Sequence, residues 1–339
     1  MSEQLICVGS YTSTTGGKGA GITTFRVDPE SGALSQAGTL ELASPSWLTW
    51  HPTLPVLYAA NEKAEGEVTV LAMDPAGVLS VLGTASTGGA DPCHLAVTPD
   101  GGHLLCANYT GGNLAVFSLG AKGEIVERTD LVTHEGSGPD TDRQEAAHVH
   151  MVVPNADGSI VSAVDLGTDE IRSYRLESGK LSPLAVSALP PGTGPRQLVR
   201  RPGTPYAYVV GELAGTVVTM HEEPAGTFTV RGSSPATTAA HAGVRNLVAH
   251  LEFSADGEEM YVSSRGPDCV TTFHFDGPLP HPVADHPSDG WPRHFSVLNG
   301  RCYSVSQNND ALLVFELGSG ETTRYPTGTP VCVVPVPAR

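Results

Sequence analysis

The sequence predicts an all-β fold built from repeated units, and three observations carry this prediction. Segments of similar pattern recur along the chain at intervals of 44 to 56 residues. Within each segment, short alternating strands are separated by turn residues. Glycine and proline supply 39 and 27 of the 339 residues, well above their usual combined share. Because both residues weaken helix interiors, this composition excludes a helix bundle.

The repeat has six recognisable copies, each with the same internal pattern. The 247 residues from Trp47 to His294 span five intervals of about 49, the length of a four-stranded propeller blade. The second copy contains, in order, HLAVT, HLLCAN, LAVF and a weaker fourth strand in GEIVERTDLV. The copies align on Trp47, His94, His150, Gln197, His250 and His294.

The two ends of the chain predict a seventh unit that they share. LICVGSYT, GITTFRVD and GALSQAGTL lack a first strand, and the tail TRYPTGTPVCVVPV can supply it. Closing the ring in this way leaves no exposed sheet edge. The sequence therefore predicts one domain, residues 1–339, forming a seven-bladed β-propeller of four-stranded antiparallel blades.

Net charge and composition limit the kinds of molecule that this protein is expected to bind. The formal net charge of −17 repels phosphate backbones and anionic lipid, so neither a nucleic acid nor a membrane partner is expected. The six cysteines are scattered without a C-x-x-C pair, which argues against a zinc ribbon and fits reduced thiols. No basic, apolar signal segment opens the sequence. We expect a cytoplasmic protein without a cofactor, as a monomer or a weak homodimer.

The repeat also predicts where a site lies. The first strand of a propeller blade is innermost, so its start and the end of the second strand meet at the mouth of the central channel. In this chain those positions carry charged, aromatic or imidazole side chains in nearly every copy. The predicted lining includes Trp47, Glu62, His94, Asn108, His148, His150, Asp165, Arg196, Glu212, His250, Arg265, Arg293, His294 and Gln307.

The segment DRQEAAHVH holds the candidate base. His148 and His150 point the same way if the segment is a strand, and imidazole titrates near neutral pH. A metal site would need a third ligand such as Asp142 or Glu145, but the spacing matches no known zinc signature. His150 aligns with the repeat's other histidines, whereas His148 breaks the repeat. We therefore expect His148 to be catalytic and no metal to be bound.

Arginines at repeated positions favour an anionic ligand. Arg196 and Arg293 each follow a proline at the start of a first strand, and Arg265 ends a second strand. A guanidinium fork matches a carboxylate or phosphate, although pairing between blades is the structural alternative. Glu212 either orients these arginines or activates water. By contrast, Asp169, Asp268 and Asp310 are expected in structural turns between second and third strands.

The chain resembles the bacterial propeller-type 6-phosphogluconolactonase family. The matching motifs span essentially the whole chain and are Gly9-Ser10-Tyr11-Thr12, GITTFRVDPESGALS, DRQEAAHVH, VDLGTDEIRSYRL, GPRQL, SSRGPD and WPRHF with Gln307-Asn308. The resemblance implies a metal-independent site whose residues correspond to His148, Arg196, Glu212 and Arg265. Departures from the family pattern occur at Ala147, Gln197, Gly211 and Ser264, where proline, histidine, asparagine and asparagine are usual. Fungal carboxy-cis,cis-muconate cyclases share the fold and the motifs.

These observations predict a hydrolase that opens an acidic sugar lactone, most simply 6-phospho-glucono-1,5-lactone. His148, Glu212 and Arg196 are the expected catalytic residues, and a small anionic lactone is the expected partner. The expected substrate-binding residues are His94, His150, Arg265, Arg293 and Gln307. A carboxymuconate cycloisomerase, a lactonase for another anionic lactone and a non-catalytic binding propeller remain alternatives.

Overall fold

Seven four-stranded antiparallel sheets follow one another around a closed ring, and the predicted propeller is confirmed. The computed structural model describes residues 4–318 and 321–338. Six sheets are each built from four consecutive strands, and the seventh takes strands from both ends of the chain. We refer to the sheets as blades.

The closing blade has the strand order β28-β1-β2-β3. Its strands are β1 Gln4–Ser10, β2 Gly21–Val27, β3 Leu34–Glu41 and β28 Pro330–Pro335. The next three blades contain β4 Pro45–Trp50, β5 Val56–Asn61, β6 Glu67–Met73 and β7 Leu79–Ser86; β8 Pro92–Val97, β9 His103–Asn108, β10 Asn113–Leu119 and β11 Ile125–Thr133; and β12 Val149–Pro154, β13 Ile160–Asp165, β14 Glu170–Glu177 and β15 Lys180–Ala188.

The last three blades complete the ring. They contain β16 Pro195–Arg200, β17 Tyr206–Gly211, β18 Thr216–Glu222 and β19 Phe228–Pro235; β20 Leu247–Phe253, β21 Met260–Arg265, β22 Cys269–Asp276 and β23 Leu279–Pro287; and β24 Phe295–Leu298, β25 Arg301–Ser306, β26 Ala311–Glu316 and β27 Thr322–Pro326. The described part of the chain contains three single-turn 3₁₀ helices in loops, at Ser13–Thr15, Ala239–His241 and Gln307–Asn309. No helix in the described ranges is long and apolar enough to cross a membrane.

The two ends of the chain close the ring by strand pairing. β28 pairs antiparallel with β1 from Ile6↔Pro335 to Ser10↔Pro330. The innermost strands contact one another in sequence, and β28 touches both β24 and β4. Only part of the predicted tail segment serves this purpose, because Thr322–Pro326 forms β27, the outer strand of the preceding blade.

The core lies between neighbouring blades rather than inside one sheet. Second and third strands are buried on both faces, so their sequences are runs of apolar residues. Outer strands such as β11 instead mix exposed and partly buried residues. One representative cluster packs Tyr58 against Leu104 and Phe117 of the next blade, with each side chain fully buried. This packing fixes the position of every first strand, and thereby the residues at its start.

Candidate active site

A pocket of about 290 Å³ lies where the first strands of several blades begin. Larger cavities of about 480 and 500 Å³ exist on the outer parts of the blades, but this one concentrates the ionisable groups. Four arginines and two glutamates share its wall. Its lining consists of Glu62, Cys93, Tyr109, Arg143, His150, Arg196, Glu212, Leu247, Arg265, Trp291 and Arg293.

A β-bulge near the start of the first strand turns side chains toward this pocket. In β8, β12 and β16 the pairing skips one residue opposite the second strand, and the skipped residues are Cys93, His150 and Arg196. A bulge bends the strand and re-aims the extra side chain. Arg293 occupies the matching position before β24, two residues ahead of Phe295, as Arg196 lies two residues ahead of Leu198.

A second set of lining residues comes from the ends of the second strands, beside the bulged starts of the first strands. Glu62, Tyr109 and Glu212 each directly follow a second strand, and Arg265 is the last residue of β21. Because first and second strands form an antiparallel hairpin, these residues lie beside the bulged positions. The pocket is therefore assembled from two equivalent positions of the repeat, filled differently in each blade.

Two aspartates, of which Asp169 is buried and Asp268 half-buried, hold two of the arginine-bearing loops. Asp169, with a φ of 56°, accepts hydrogen bonds from Gly192 N and Gly194 N at 2.6 and 2.7 Å, just before Arg196. Asp268, with a φ of 51°, accepts one from Trp291 N at 3.1 Å, just before Arg293. Asp310, with a φ of 50°, lies between β25 and β26 and accepts a hydrogen bond from Thr329 N at 2.9 Å. The three predicted turns are thus confirmed, and each fixes the chain just before the first strand of the next blade.

Glu212 is the centre of the charge network. Its side chain is 2% exposed, and Oε1 accepts a hydrogen bond from Arg143 Nη2 at 2.7 Å. Oε2 lies 2.8 Å from Arg265 Nη2 and 3.2 Å from Arg196 Nη1. Burial alone would raise the pKa of Glu212, but the surrounding guanidinium groups outweigh it and hold the pKa well below its usual value. Glu212 is therefore a fixed carboxylate that orients three arginines.

Arg293 and Glu62 form a second part of the pocket wall, in which the charged groups make fewer hydrogen bonds. Glu62 Oε1 accepts a hydrogen bond from Tyr11 Oη at 2.7 Å, and the Arg293 guanidinium lies 5.5 Å from the Tyr11 ring centroid. Glu62 Oε2 and the Arg293 side chain make no hydrogen bond within residues 4–318 and 321–338. Tyr11 and Glu62 outweigh the effect of burial on Arg293 and raise its pKa above the usual arginine value. Arg293 is thus a cation with free donors facing the pocket.

His150 is neutral at physiological pH. Burial, followed by the nearby Arg196 charge, lowers its pKa well below the usual histidine value. Arg196 Nη1 donates a hydrogen bond to His150 Nε2, so the ring proton lies on Nδ1. Arg196 also donates from Nε to Ala249 O at 2.7 Å. Burial lowers the pKa of Arg265 to about 9, which leaves this guanidinium charged at neutral pH.

The chain matches known proteins over nearly its whole length. A family model described as "Lactonase, 7-bladed beta-propeller" matches residues 5–335. The chain belongs to this family. It is 30% identical to a Bacillus subtilis 6-phosphogluconolactonase, with 98% of both chains covered, and 27% identical to a 6-phosphogluconolactonase of Formosa agariphila, with 94% of both covered.

A solved structure shows the same lactonase architecture. The Pseudomonas aeruginosa periplasmic gluconolactonase superimposes with a TM-score of 0.91 at 27% identity, covering 99% of each chain. The resemblance drawn from the sequence motifs is therefore confirmed. The names of the relatives support lactone hydrolysis over the cyclisation that the sequence left open.

Five of the eight site residues predicted from the sequence line the pocket of this lactonase-family chain. They are His150, Arg196, Glu212, Arg265 and Arg293. The alignment of His150 with His94 is wrong by one residue. The bulge pairs His94 with Ala107 and Met151 with Val164, so Met151 takes the place equivalent to His94 and His150 that of Cys93.

The other three predicted residues lie outside the lining. His148 stacks on Tyr109 with ring centroids 4.5 Å apart, and its Nδ1 and Nε2 lie 3.1 Å from Tyr109 O and 3.0 Å from Glu145 Oε1. His94 packs against Trp47 at 4.3 Å in the buried channel, and burial lowers its pKa to about 3. Gln307 lies in the 3₁₀ helix Gln307–Asn309. His148 thus contacts a lining residue, Tyr109, without lining the pocket itself.

Sequence reasoning missed Tyr109, Cys93 and the role of Arg143. Arg143 comes from the connection 134–148 between β11 and β12, which is longer than the connections between the other blades. It bridges Glu212 and Tyr109 Oη at 2.7 and 3.3 Å. Cys93 could have been found from its place after the proline that starts a first strand, which it shares with Arg196. Tyr109 could have been found from its place after a second strand, which it shares with Glu212.

Proposed function

We propose that this chain hydrolyses the ring ester of 6-phospho-glucono-1,5-lactone to 6-phosphogluconate in the arginine-lined pocket, without a metal or cofactor. This is the lactone-opening step of the pentose phosphate pathway. The observation that carries the proposal is the positive charge of the pocket. Its arginines outnumber its carboxylates by two, although the chain as a whole has a net charge of −17. A phosphorylated lactone provides the complementary anion.

Arg293 is the proposed phosphate-binding group. Its guanidinium has free donors, whereas Arg143, Arg196 and Arg265 are each bonded to Glu212. A guanidinium fork can donate two parallel hydrogen bonds to phosphate oxygens. Arg196 and Arg265 are held in fixed positions by Glu212 and by backbone carbonyls, so their remaining N–H groups are preorganised to polarise the lactone carbonyl.

Glu62 is the proposed base. Glu212 is a poor base because three cations stabilise its ionised form, and His150 Nε2 is already accepting from Arg196. Glu62 keeps one oxygen free of hydrogen bonds to the described residues, and its other oxygen is fixed by Tyr11. His148 supports the wall through Tyr109, and its assignment as base, expected from the sequence, is tested against Glu62 below.

The proposed reaction needs one proton relay. Glu62 takes a proton from water as the water oxygen bonds to C1, and the oxyanion is stabilised by the Arg196 and Arg265 guanidinium groups. The C1–O5 ring bond then breaks, and the proton passes from Glu62 to the departing ring oxygen. Atoms and charges balance without any co-reactant other than water.

The decisive experiment compares two reactions in one preparation dialysed against a chelator. Proton release from 6-phospho-glucono-1,5-lactone should exceed the spontaneous rate, and carboxymuconate should not be cyclised. Cyclisation without hydrolysis would favour the cycloisomerase. Loss of activity that zinc restores while circular dichroism shows the fold unchanged would contradict a metal-independent reaction. Binding of a macromolecular partner without turnover of either substrate would favour a non-catalytic propeller.

The proposed compartment is the cytoplasm, and the proposed state is a monomer or weak homodimer. All six cysteines are buried and free, which fits a reducing compartment. The Pseudomonas aeruginosa relative is named as periplasmic, so cell fractionation is the appropriate test. Sedimentation at several protein concentrations tests the oligomeric state.

A further inference from the structure

A second cluster of ionisable side chains lies away from the pocket, on the blade formed by β20–β23. His241, Cys269 and Asp285 each present one ligand atom, and these atoms lie within 4.8 Å of one another. In the described parts of the chain this is the one group of three such residues with that spacing. They border a cavity of about 500 Å³ that shares no lining residue with the arginine pocket.

The three residues come from separate elements. His241 ends the 3₁₀ helix Ala239–His241, which lies in the crossover, the connection 236–246 between β19 and β20. Cys269 begins β22, and Asp285 lies in β23 opposite Thr271. His241 Nε2 is 3.2 Å from Asp285 Oδ2. Ligand atoms bound to tetrahedral zinc are separated by roughly 3.3–3.6 Å, given metal–ligand bonds of about 2.0–2.3 Å. The sulfur lies within 4.8 Å of both other ligand atoms, so a shift of about 1.5 Å or less would bring it to the separation found around zinc.

The carboxylate of Asp285 is held as a metal ligand normally is. Oδ1 accepts a hydrogen bond from Thr271 Oγ1 at 2.7 Å, and Oδ2 accepts from Thr238 Oγ1. The Thr238 backbone N–H also lies 3.2 Å from Oδ2. Hydrogen bonds of this kind orient first-sphere ligands, and a carboxylate has enough lone pairs to keep them while binding a cation.

The mutual spacing excludes a cysteine–histidine–aspartate catalytic triad. In a triad the imidazole lies between the nucleophile and the carboxylate, which keeps these two far apart. Here sulfur and carboxylate are also within 4.8 Å of each other.

We propose that His241, Cys269 and Asp285 form a binding site for Zn²⁺ that lies outside the catalytic pocket. One sulfur, one imidazole nitrogen and one carboxylate oxygen suit a dication of intermediate softness, whereas Mg²⁺ and Ca²⁺ require oxygen ligands. The cavity provides space for a fourth ligand. Bound zinc ties the crossover 236–246 to its blade, so metal binding stabilises the fold without entering the reaction.

The test measures metal binding directly on the full chain. Zn²⁺ should bind at one equivalent by calorimetry, and Co²⁺ in its place should give a thiolate-to-cobalt charge-transfer band. Cys269→Ser and His241→Gln should each weaken binding by more than the ~10–100-fold typical of losing an outer-shell contact, and Cys269→Ser should remove the band. His241 lies on a surface loop, so its variant remains informative if the buried substitution disturbs folding.

Two controls separate this site from the alternatives. Cys7→Ser replaces another buried cysteine beside a threonine, Thr24 at 3.9 Å, and should leave the affinity and the band unchanged. His281→Gln removes one of two exposed histidines whose rings lie 6.3 Å apart on the same blade, and it should also have no effect. Binding that survives Cys269→Ser but is lost in His281→Gln would overturn the proposal, as would an absence of binding. Lactonase turnover is not a readout here, so the outcome is independent of the proposed function.

Discussion

At the scale of single residues, Glu212 combines a structural and a functional role. Its two oxygens meet three guanidinium groups, two of them nearly fully buried. Removing one partner of a buried ion cluster leaves uncompensated charge, which costs far more than breaking an exposed pair. The site therefore depends on a carboxylate that need not touch the substrate.

Glu212→Gln should lower the free energy of unfolding by about 3–5 kcal/mol at neutral pH. Because folding lowers the pKa of Glu212, its stabilising contribution is complete above the usual pKa of about 4.5 and is lost as the pH falls further. Thermal melts of wild type and variant should thus converge in acid. Glu222→Gln, which breaks a partly exposed bidentate pair with Arg200, should cost about 1 kcal/mol or less. Equal effects of the two substitutions would contradict the role of Glu212.

The base is tested by comparing Glu62→Gln with His148→Ala. Glu62→Gln should reduce kcat by roughly 10²–10⁴-fold with little change in KM, because the proton acceptor is gone. His148→Ala removes the ring stacked on Tyr109, so it should reduce kcat less. If His148→Ala causes the larger loss of kcat and Glu62→Gln has little effect, the base is His148, as the sequence pattern suggested.

At the scale of elements, the bulge determines which residues reach the pocket. The sequence predicted the first-strand starts and second-strand ends correctly because the repeat length and turn residues are regular. It could not reveal the bulge, which shifts the alternation by one residue and exchanges the roles of His150 and Met151. The place of Arg143 in the pocket could not be predicted either. Its loop is not part of the repeat, and the position of its side chain depends on tertiary packing.

The hydrogen bonds that Asp169 accepts from the loop before β16 should position Arg196. Asp169→Ala should lower kcat/KM because Gly192 N and Gly194 N lose their acceptor and the start of β16 is released. It should also destabilise the fold by about 1–3 kcal/mol, the cost of unsatisfied buried donors. Asp169→Asn keeps one acceptor oxygen and tolerates a positive φ, so it should restore part of both losses. Kinetics and melts of the two variants check this, and identical kcat/KM in both would argue against positioning.

At the scale of the whole molecule, stability depends on closure of the ring. β28 is the innermost strand of its blade, and Val331, Cys332 and Val333 are almost completely buried. A chain ending at Gly328 should melt at a lower temperature and less cooperatively than the full chain, since β1 loses one of its two pairing strands and β4 and β24 lose their contacts with β28. A chain ending at Val336 keeps β28 and should melt as the full chain does. Retention of cooperative melting by the shorter chain would contradict closure by strand pairing.

In the proposed function, the free guanidinium of Arg293 recognises the phosphate of the substrate. The most direct measurement compares Arg293→Ala with wild type on 6-phospho-glucono-1,5-lactone and on unphosphorylated glucono-1,5-lactone. The substitution should lower kcat/KM for the phosphorylated lactone by ~10–100-fold, the value of hydrogen bonds to a charged group, and Arg293→Lys should restore only part of it. The unphosphorylated lactone should be affected little, because it has no group for Arg293 to bind. An equal loss on both lactones, or no loss on either, would contradict the claim.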